Sequence, residues 1–160
     1  MPTFDISSEF NKQEVTNAVD QCHREISNRY DFRDTKTSIS LMENSILLKS
    51  STLDRMLAAE QVLKEKFVKR SVSIKFLGDV KDETLPSEVK RTYNLKSGIN
   101  QSTSKEIITL LKKSNKKIQC SYQNETIRVT SKKRDDLQAA ITLIKESDIE
   151  TPLNFGNFRD

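Results

Sequence analysis

The residues with the most chemistry in this chain lie in one short stretch, NRYDFRD. It sets Arg29 and Arg33 beside Tyr30 and Phe32, with Asp31 and Asp34 between and after them. Its last three residues recur as Phe158, Arg159 and Asp160. Guanidinium groups grip phosphate in a two-pronged way and stack on base faces, so arginines interleaved with aromatics suit a phosphate-bearing ligand. A second concentration of charge runs from Lys96 to Arg134, where ten cations, among them Lys105, Lys112, Lys113, Lys116 and Lys117, face only Glu106 and Glu125. A local excess of that sign attracts phosphates. Within it, TSKKRDD (Thr130 to Asp136) joins hydroxyls, cations and the start of a helix, a combination that favours an anion. The ligand-binding candidates are Arg29, Arg33, Lys96, Arg128, Lys132, Lys133, Arg134 and Arg159.

Other chemistries lack their residues. One histidine, His23, and two distant cysteines, Cys22 and Cys120, offer neither a zinc set nor a Cys-His nucleophile pair. Both cysteines fall on apolar positions and read as small buried hydrophobes. Asp31, Asp34, Asp135 and Asp136 are explained by ion pairing and by helix starts, so no catalytic residue is expected. The absence of GxxxxGK[ST] and GxGxxG removes support for nucleotide hydrolysis and for a dinucleotide fold. No metal and no cofactor are expected. No apolar run approaches a membrane span and MPTFDISSEF lacks the pattern of a signal peptide, which points to a cytoplasmic protein.

The elements that position these residues emerge from a repeat. At an offset of 81, Thr37, Ile39 and Leu41 fall on Ile118, Cys120 and Tyr122, and DRMLAAEQVLKE falls on DDLQAAITLIKE. The same offset sets Val72 and Ile74 on Leu153 and Phe155, while at 89 FDISS falls on YNLKS. Each copy reads strand, helix, strand, strand, helix, strand. The strands alternate apolar and polar residues, and Val15, Val19, Cys22 and Ile26, like Leu53, Met56, Leu57, Leu63 and Phe67, keep helical spacing. Asn11 with Glu14, and Thr103 with Glu106, read as helix caps, and Asn44 and Asn124 as turns. The fold class is α+β: two ferredoxin-like βαββαβ domains, an antiparallel sheet with two helices in each. The polar segment Leu77 to Lys90 reads as the linker.

Base stacking on the open sheets is not expected, because their outward positions are hydroxyls and cations (Lys36, Ser38, Ser40, Lys49; Gln119, Ser121, Arg128, Thr130) rather than aromatics. The first copy carries eight extra residues between Cys22 and Thr37, and they contain or overlap NRYDFRD, so the repeat does not need that stretch. Tyr30, Phe32 and Phe158 are expected as buried anchors, and any of them that is exposed would add a stacking surface. Arg29 and Arg33 either face outward or pair with Asp31 and Asp34.

MPTFDISSE, RYDFRD, IRVTSKKRDDLQAAI and PLNFGNFRD resemble the YajQ family of bacterial nucleotide-binding proteins, from Pro2 to Asp160. The resemblance implies that the domains exchange their first strands. Residues 9–89 would be completed by a strand at 92–97, and residues 90–160 by a strand at 3–8. It also implies a non-enzymatic binder of a nucleotide, of cyclic di-GMP or of RNA. The alternative is a protein-interaction adaptor that meets an acidic partner through its basic face.

Overall fold

A computed structural model describes all 160 residues. The chain forms two compact units, residues 10–96 and residues 1–9 with 97–160. The first unit contains α1 (Lys12–Asn28), β2 (Ser38–Leu41), β3 (Ser45–Ser50), α2 (Leu53–Lys69), β4 (Val80–Thr84) and β5 (Val89–Asn94). The second contains β1 (Thr3–Ser7), α3 (Gln101–Ser114), β6 (Gln119–Gln123), β7 (Thr126–Thr130), α4 (Arg134–Lys145) and β8 (Asn154–Arg159). Each sheet is antiparallel and has four strands, in the orders β2-β3-β5-β4 and β6-β7-β1-β8. These are two ferredoxin-like sheets, and the exchange of first strands is present. β1 precedes α1 in the chain yet lies between β7 and β8, and β5 lies between β3 and β4.

Alternation explains why these two strands are central. Phe4 and Ile6 of β1 are fully buried, opposite Val129 and Ile127 of β7, while Asp5 points to the other face opposite Arg128. In β5, Tyr93 is fully buried opposite Ile46. Val15, Ala18, Val19, Cys22 and Ile26 of α1 and Met56, Ala59, Val62, Leu63 and Phe67 of α2 cover the inner face of the first sheet. Ile107, Leu111, Leu137, Ala140, Ile141 and Ile144 of α3 and α4 cover the second. At about 25 cal/mol per Å², each fully buried ring or branched chain contributes about 2 kcal/mol, which sets the register against a one-residue slip.

Four local expectations are corrected. Val72 and Ile74 do not form the fourth strand of the first unit; Ile74–Leu77 is a 3-10 turn that buries Phe76 and Leu77. The strand comes instead from the segment read as a linker, where VKDET forms the edge strand β4 and turns back at Leu85–Glu88 into β5. Every residue of β4 is exposed, so the strand has no apolar alternation. Opposite charges across the ladder hold it, with Asp82 facing Arg91 and Glu83 facing Lys90. The exchanged strand accordingly runs over Val89–Asn94, not residues 92–97. α3 is capped by Asn100, whose side chain accepts from the Thr103 amide, so Thr103 lies inside the helix. Leu53 and Leu57 keep helical spacing but are exposed, on the outer face of α2.

One polar network sits on the inner face of the first sheet. Glu60 of α2 accepts from the hydroxyl of Tyr93 and, at 2.8 Å, from Arg91, whose other nitrogens bind Asp82 at 2.7 and 2.9 Å. Burial alone raises the Glu60 carboxyl, but the hydrogen bonds from Tyr93 and Arg91 outweigh it and hold the group below its ordinary value. A folded pKa below the unfolded one contributes stability at pH above 4.5 that is lost as the pH falls through the folded value. Glu60→Gln is therefore expected to cost about 2 kcal/mol at neutral pH, since it leaves Arg91 and Tyr93 short of an acceptor. Its melting temperature should also fall less than the parent's between about pH 5 and pH 3. Parallel acid-dependence curves for the two proteins would show that Glu60 does not carry the effect.

Candidate functional site

The stretch after α1 is pinned from below. Phe32 is buried in the core of its unit, and Arg29 closes the end of α1. The Arg29 guanidinium lies over the Phe32 ring at 4.9 Å from its centroid and binds Asp31 through two nitrogens at 3.0 and 2.8 Å and Glu25 at 2.9 Å. Arg55 of α2 completes the cluster, 3.0 Å from Asp31. The hydrogen bonds from Arg29 hold the Asp31 carboxyl below its ordinary range. Arg29 is thus committed to structure, and of the two alternatives for these arginines it takes the paired one. Beyond Phe32, Thr35 donates to the Phe32 carbonyl and meets Thr37, which meets Ser50 of β3.

Arg33 takes the other alternative. It is exposed, and neither it nor Asp34 nor Lys36 forms an ion pair. Asp34 and Lys36 adopt left-handed backbone conformations, φ 60° and 53°, which cost non-glycine residues roughly 1 kcal/mol each. These kinks bend the chain around a groove of about 550 Å³ lined by Asn28, Tyr30, Arg33, Asp34, Lys36 and Thr37. The expectation that Tyr30 is a buried anchor is overturned: its ring is 85% exposed. Phe32 alone, at the next position but one, satisfies the core, and the single 3-10 turn Tyr30–Phe32 directs the Tyr30 ring outward. The groove joins a free aromatic face to two unpaired cations. Exposure turns Tyr30 into the stacking surface named as the alternative to burial, while Lys36 was missed as a binding candidate, although its spacing from Arg33 is visible in YDFRDTK.

The remaining candidates are distributed otherwise. Lys96, at the end of the first unit, pairs with Asp79 at 2.9 Å. In the second unit, Arg128 and Arg159 lie on the face of the sheet turned away from α3 and α4. There Arg128 donates to Asp5 at 3.1 Å, Asn157 donates to the other Asp5 oxygen at 2.8 Å, and Arg159 reaches Asn157 at 3.4 Å. Partial burial raises the Asp5 carboxyl, but Arg128, Asn157 and the charge of Arg159 together lower it. No aromatic side chain joins this row, as the alternation predicts. Phe158 points to the opposite face, stacked on Phe4 at 5.9 Å but 63% exposed, so it too is not a buried anchor.

At the start of α4, Ser131 donates to Asp136 at 2.9 Å and Arg134 pairs with Asp160. The helix start is served by its own carboxylates, which leaves Lys132 and Lys133 as exposed, unpaired charges. No helix of the chain is long and apolar enough to cross a membrane.

A family model described as "Nucleotide-binding protein YajQ-like" matches residues 2–159. A protein of Hahella chejuensis is 42% identical over 164 residues, covering 100% of both chains, and bears the name "Nucleotide-binding protein". Proteins with the same name from Coxiella burnetii and Nitrosococcus oceani are 42% and 38% identical, again over 100% of both chains.

The two arginines of the loop separate by stability. Arg29→Ala is expected to lower the melting temperature by about 2–3 °C, because it strips the packing over Phe32 and leaves Asp31 with Arg55 alone, whereas Arg33→Ala leaves it unchanged within about 1 °C. Scanning calorimetry of both variants checks this; equal losses would mean that Arg33 is structural as well.

Proposed function

The chain belongs to the YajQ-like family of nucleotide-binding proteins, and on that premise we propose that it is a non-enzymatic cytoplasmic protein that binds a nucleotide in the groove beside Tyr30. One observation carries the reading: an exposed tyrosine ring stands over a concave surface beside the unpaired cations Arg33 and Lys36. The ring offers a stacking face for a base, and the cations offer charge-assisted hydrogen bonds to phosphate. About 550 Å³ is the scale of a single-ligand site and accommodates one nucleotide. A cyclic dinucleotide such as cyclic di-GMP, or an RNA chain, would place one of its nucleotides there. Asp34, the groove's one carboxylate, has neither histidine nor cysteine among its lining neighbours, which suits binding rather than turnover.

The adaptor reading finds less support. A protein interface of useful affinity has an apolar centre, and the large exposed apolar side chains of this chain all lie outside the basic segment from Lys96 to Arg134.

Calorimetry with ATP, GTP, cyclic di-GMP and a short RNA tests the proposal at fixed salt. Affinity is expected to fall about tenfold in Tyr30→Ala, from lost stacking, and by a similar factor in Arg33→Ala, with the nucleoside binding more weakly than its phosphates. Binding no tighter than about millimolar for the whole panel, or variants that bind as the parent does, would reject it.

A further inference from the structure

The outer strands of the two sheets end in backbone groups that no further strand takes up. Two of these edges are guarded: β4 by Lys81, Asp82 and Glu83, and β8 by Arg159 and a register shift beside Thr3. β2 is uncharged but only four residues long. β6 differs from all of them, since QCSYQ holds no charge and no proline and keeps an unbroken register with β7. Its inner-face side chains, Cys120 and Tyr122, pack on the core of the unit yet stay half-buried at the open side. The turn after β6 fixes which backbone groups are free. Asn124 and Glu125 both take left-handed conformations, φ 53° and 60°, the mark of a two-residue type I′ turn. Such a turn makes its flanking pair, Gln123 and Thr126, exchange both backbone bonds. Along the ladder Ser121 and Gln119 therefore also bond to β7, and Cys120 and Tyr122 point their N–H and C=O groups outward.

We propose that β6 pairs antiparallel with β6 of a second copy of this chain, about a two-fold axis at Ser121, so that the two sheets become one. The sequence around that axis is self-complementary. Counted outward from Ser121, Cys120 meets Tyr122, Gln119 meets Gln123 and Lys117 meets Glu125. The first of these pairs sets every outward N–H against an outward C=O. The half-buried thiol and ring pack together on the inner face, and the glutamine amides, donors and acceptors at once, pair on the open face. Lys117 and Glu125 are exposed and form no ion pair within the chain, and the two-fold matches each to the other. β2 lacks this match: about an axis at Ser40, its flanking charges Lys36 and Glu43 fall opposite Asn44 and Thr37. Main-chain bonds supply the affinity of an added strand, so this interface does without the apolar centre that side-chain interfaces need. Lys112, whose charge reaches Cys120, approaches its copy across the axis and offsets part of the gain. With so small a contact area, the dissociation constant is expected at about 10–100 µM.

Sedimentation of the protein between about 5 and 500 µM tests the assignment, with the parent expected to pass from monomer to dimer. Ser121→Lys sets two cations against each other at the axis from an exposed position. It should weaken association at least about tenfold and leave the melting temperature in dilute solution unchanged. Glu125→Lys should also weaken association, and adding Lys117→Glu should restore it. The register is read by cross-linking with oxidised glutathione in a Cys120→Ala background. Ser121→Cys should give a disulfide-linked dimer, because opposite residues of a non-hydrogen-bonded pair lie about 4.5 Å apart at Cα. Gln119→Cys, which falls opposite Gln123, should not. A parent that stays monomeric at about 500 µM overturns the proposal. So does a dimer that Ser121→Lys leaves intact, or one in which Gln119→Cys cross-links as readily as Ser121→Cys. Should Ser121→Lys fail to fold, the two cysteine variants decide alone.

Discussion

The central position of each sheet is filled by the strand that the repeat assigns to the other copy, and that constraint shapes everything else. β1 lies between β7 and β8, where it buries Phe4 and Ile6, and β5 lies between β3 and β4, where it buries Tyr93. Without its central strand a ferredoxin-like sheet is left as separate pieces with an exposed apolar slot. The packing of α1 and α2, the network around Glu60 and the anchoring of the loop at Phe32 all presuppose that β5 is in place. Likewise the Asp5 row on the second sheet exists only because β1 carries Asp5 to Arg128. Long-range ladders of this kind cost loop-closure entropy before they return any contact, and the buried apolar faces of the two strands offset it.

Charge is handled in two ways in the two units. Ion pairs tie α1 and the turn after it to α2 and its C-cap in the first, through Glu14 with Arg70, Glu25 with Lys66 and Asp31 with Arg55. Individually such partly exposed pairs are weak, but they neutralise part of the positive charge of the helical face. What remains unpaired in that unit's loop, Arg33 and Lys36, is therefore conspicuous. In the second unit Arg128 and Arg134 pair with Asp5 and Asp160, while Lys105, Lys112, Lys113, Lys116, Lys117, Lys132 and Lys133 form no ion pair, so their field extends into solvent as far as the salt allows.

Much of this could be seen in the sequence because the repeat was intact where packing is strict. The apolar alternation of β2, β3, β6 and β7 and the helical spacing of α1 and α2 follow from burial, and the strand exchange came with the family likeness. β4 was invisible because an edge strand with both faces in water has no apolar period; Asp82 and Glu83 stay in the ladder through opposite charges on β5. The exposure of Tyr30 was hidden for a related reason, since aromatic residues two apart look alike to a period-2 reading. Only a 3-10 turn, with its different angular step, sends Phe32 inward and Tyr30 outward. Among the candidate cations, the sequence could name the arginines but not their neighbours, and it was geometry that separated Arg29, locked between Glu25 and Asp31, from Arg33.

The exchange of strands also sets an order in time. Residues 10–96 contain all four strands of the first sheet, so that unit can close while the rest of the chain is still being synthesised. β1 leaves the ribosome before any of them, yet its neighbours β7 and β8 arrive only with residues 126–130 and 154–159. Through that interval the five residues of β1, Phe4 and Ile6 among them, lack the strands they pair with in the finished fold. Its brevity and the charge of Asp5 at its centre keep so long a wait from becoming an invitation to other chains.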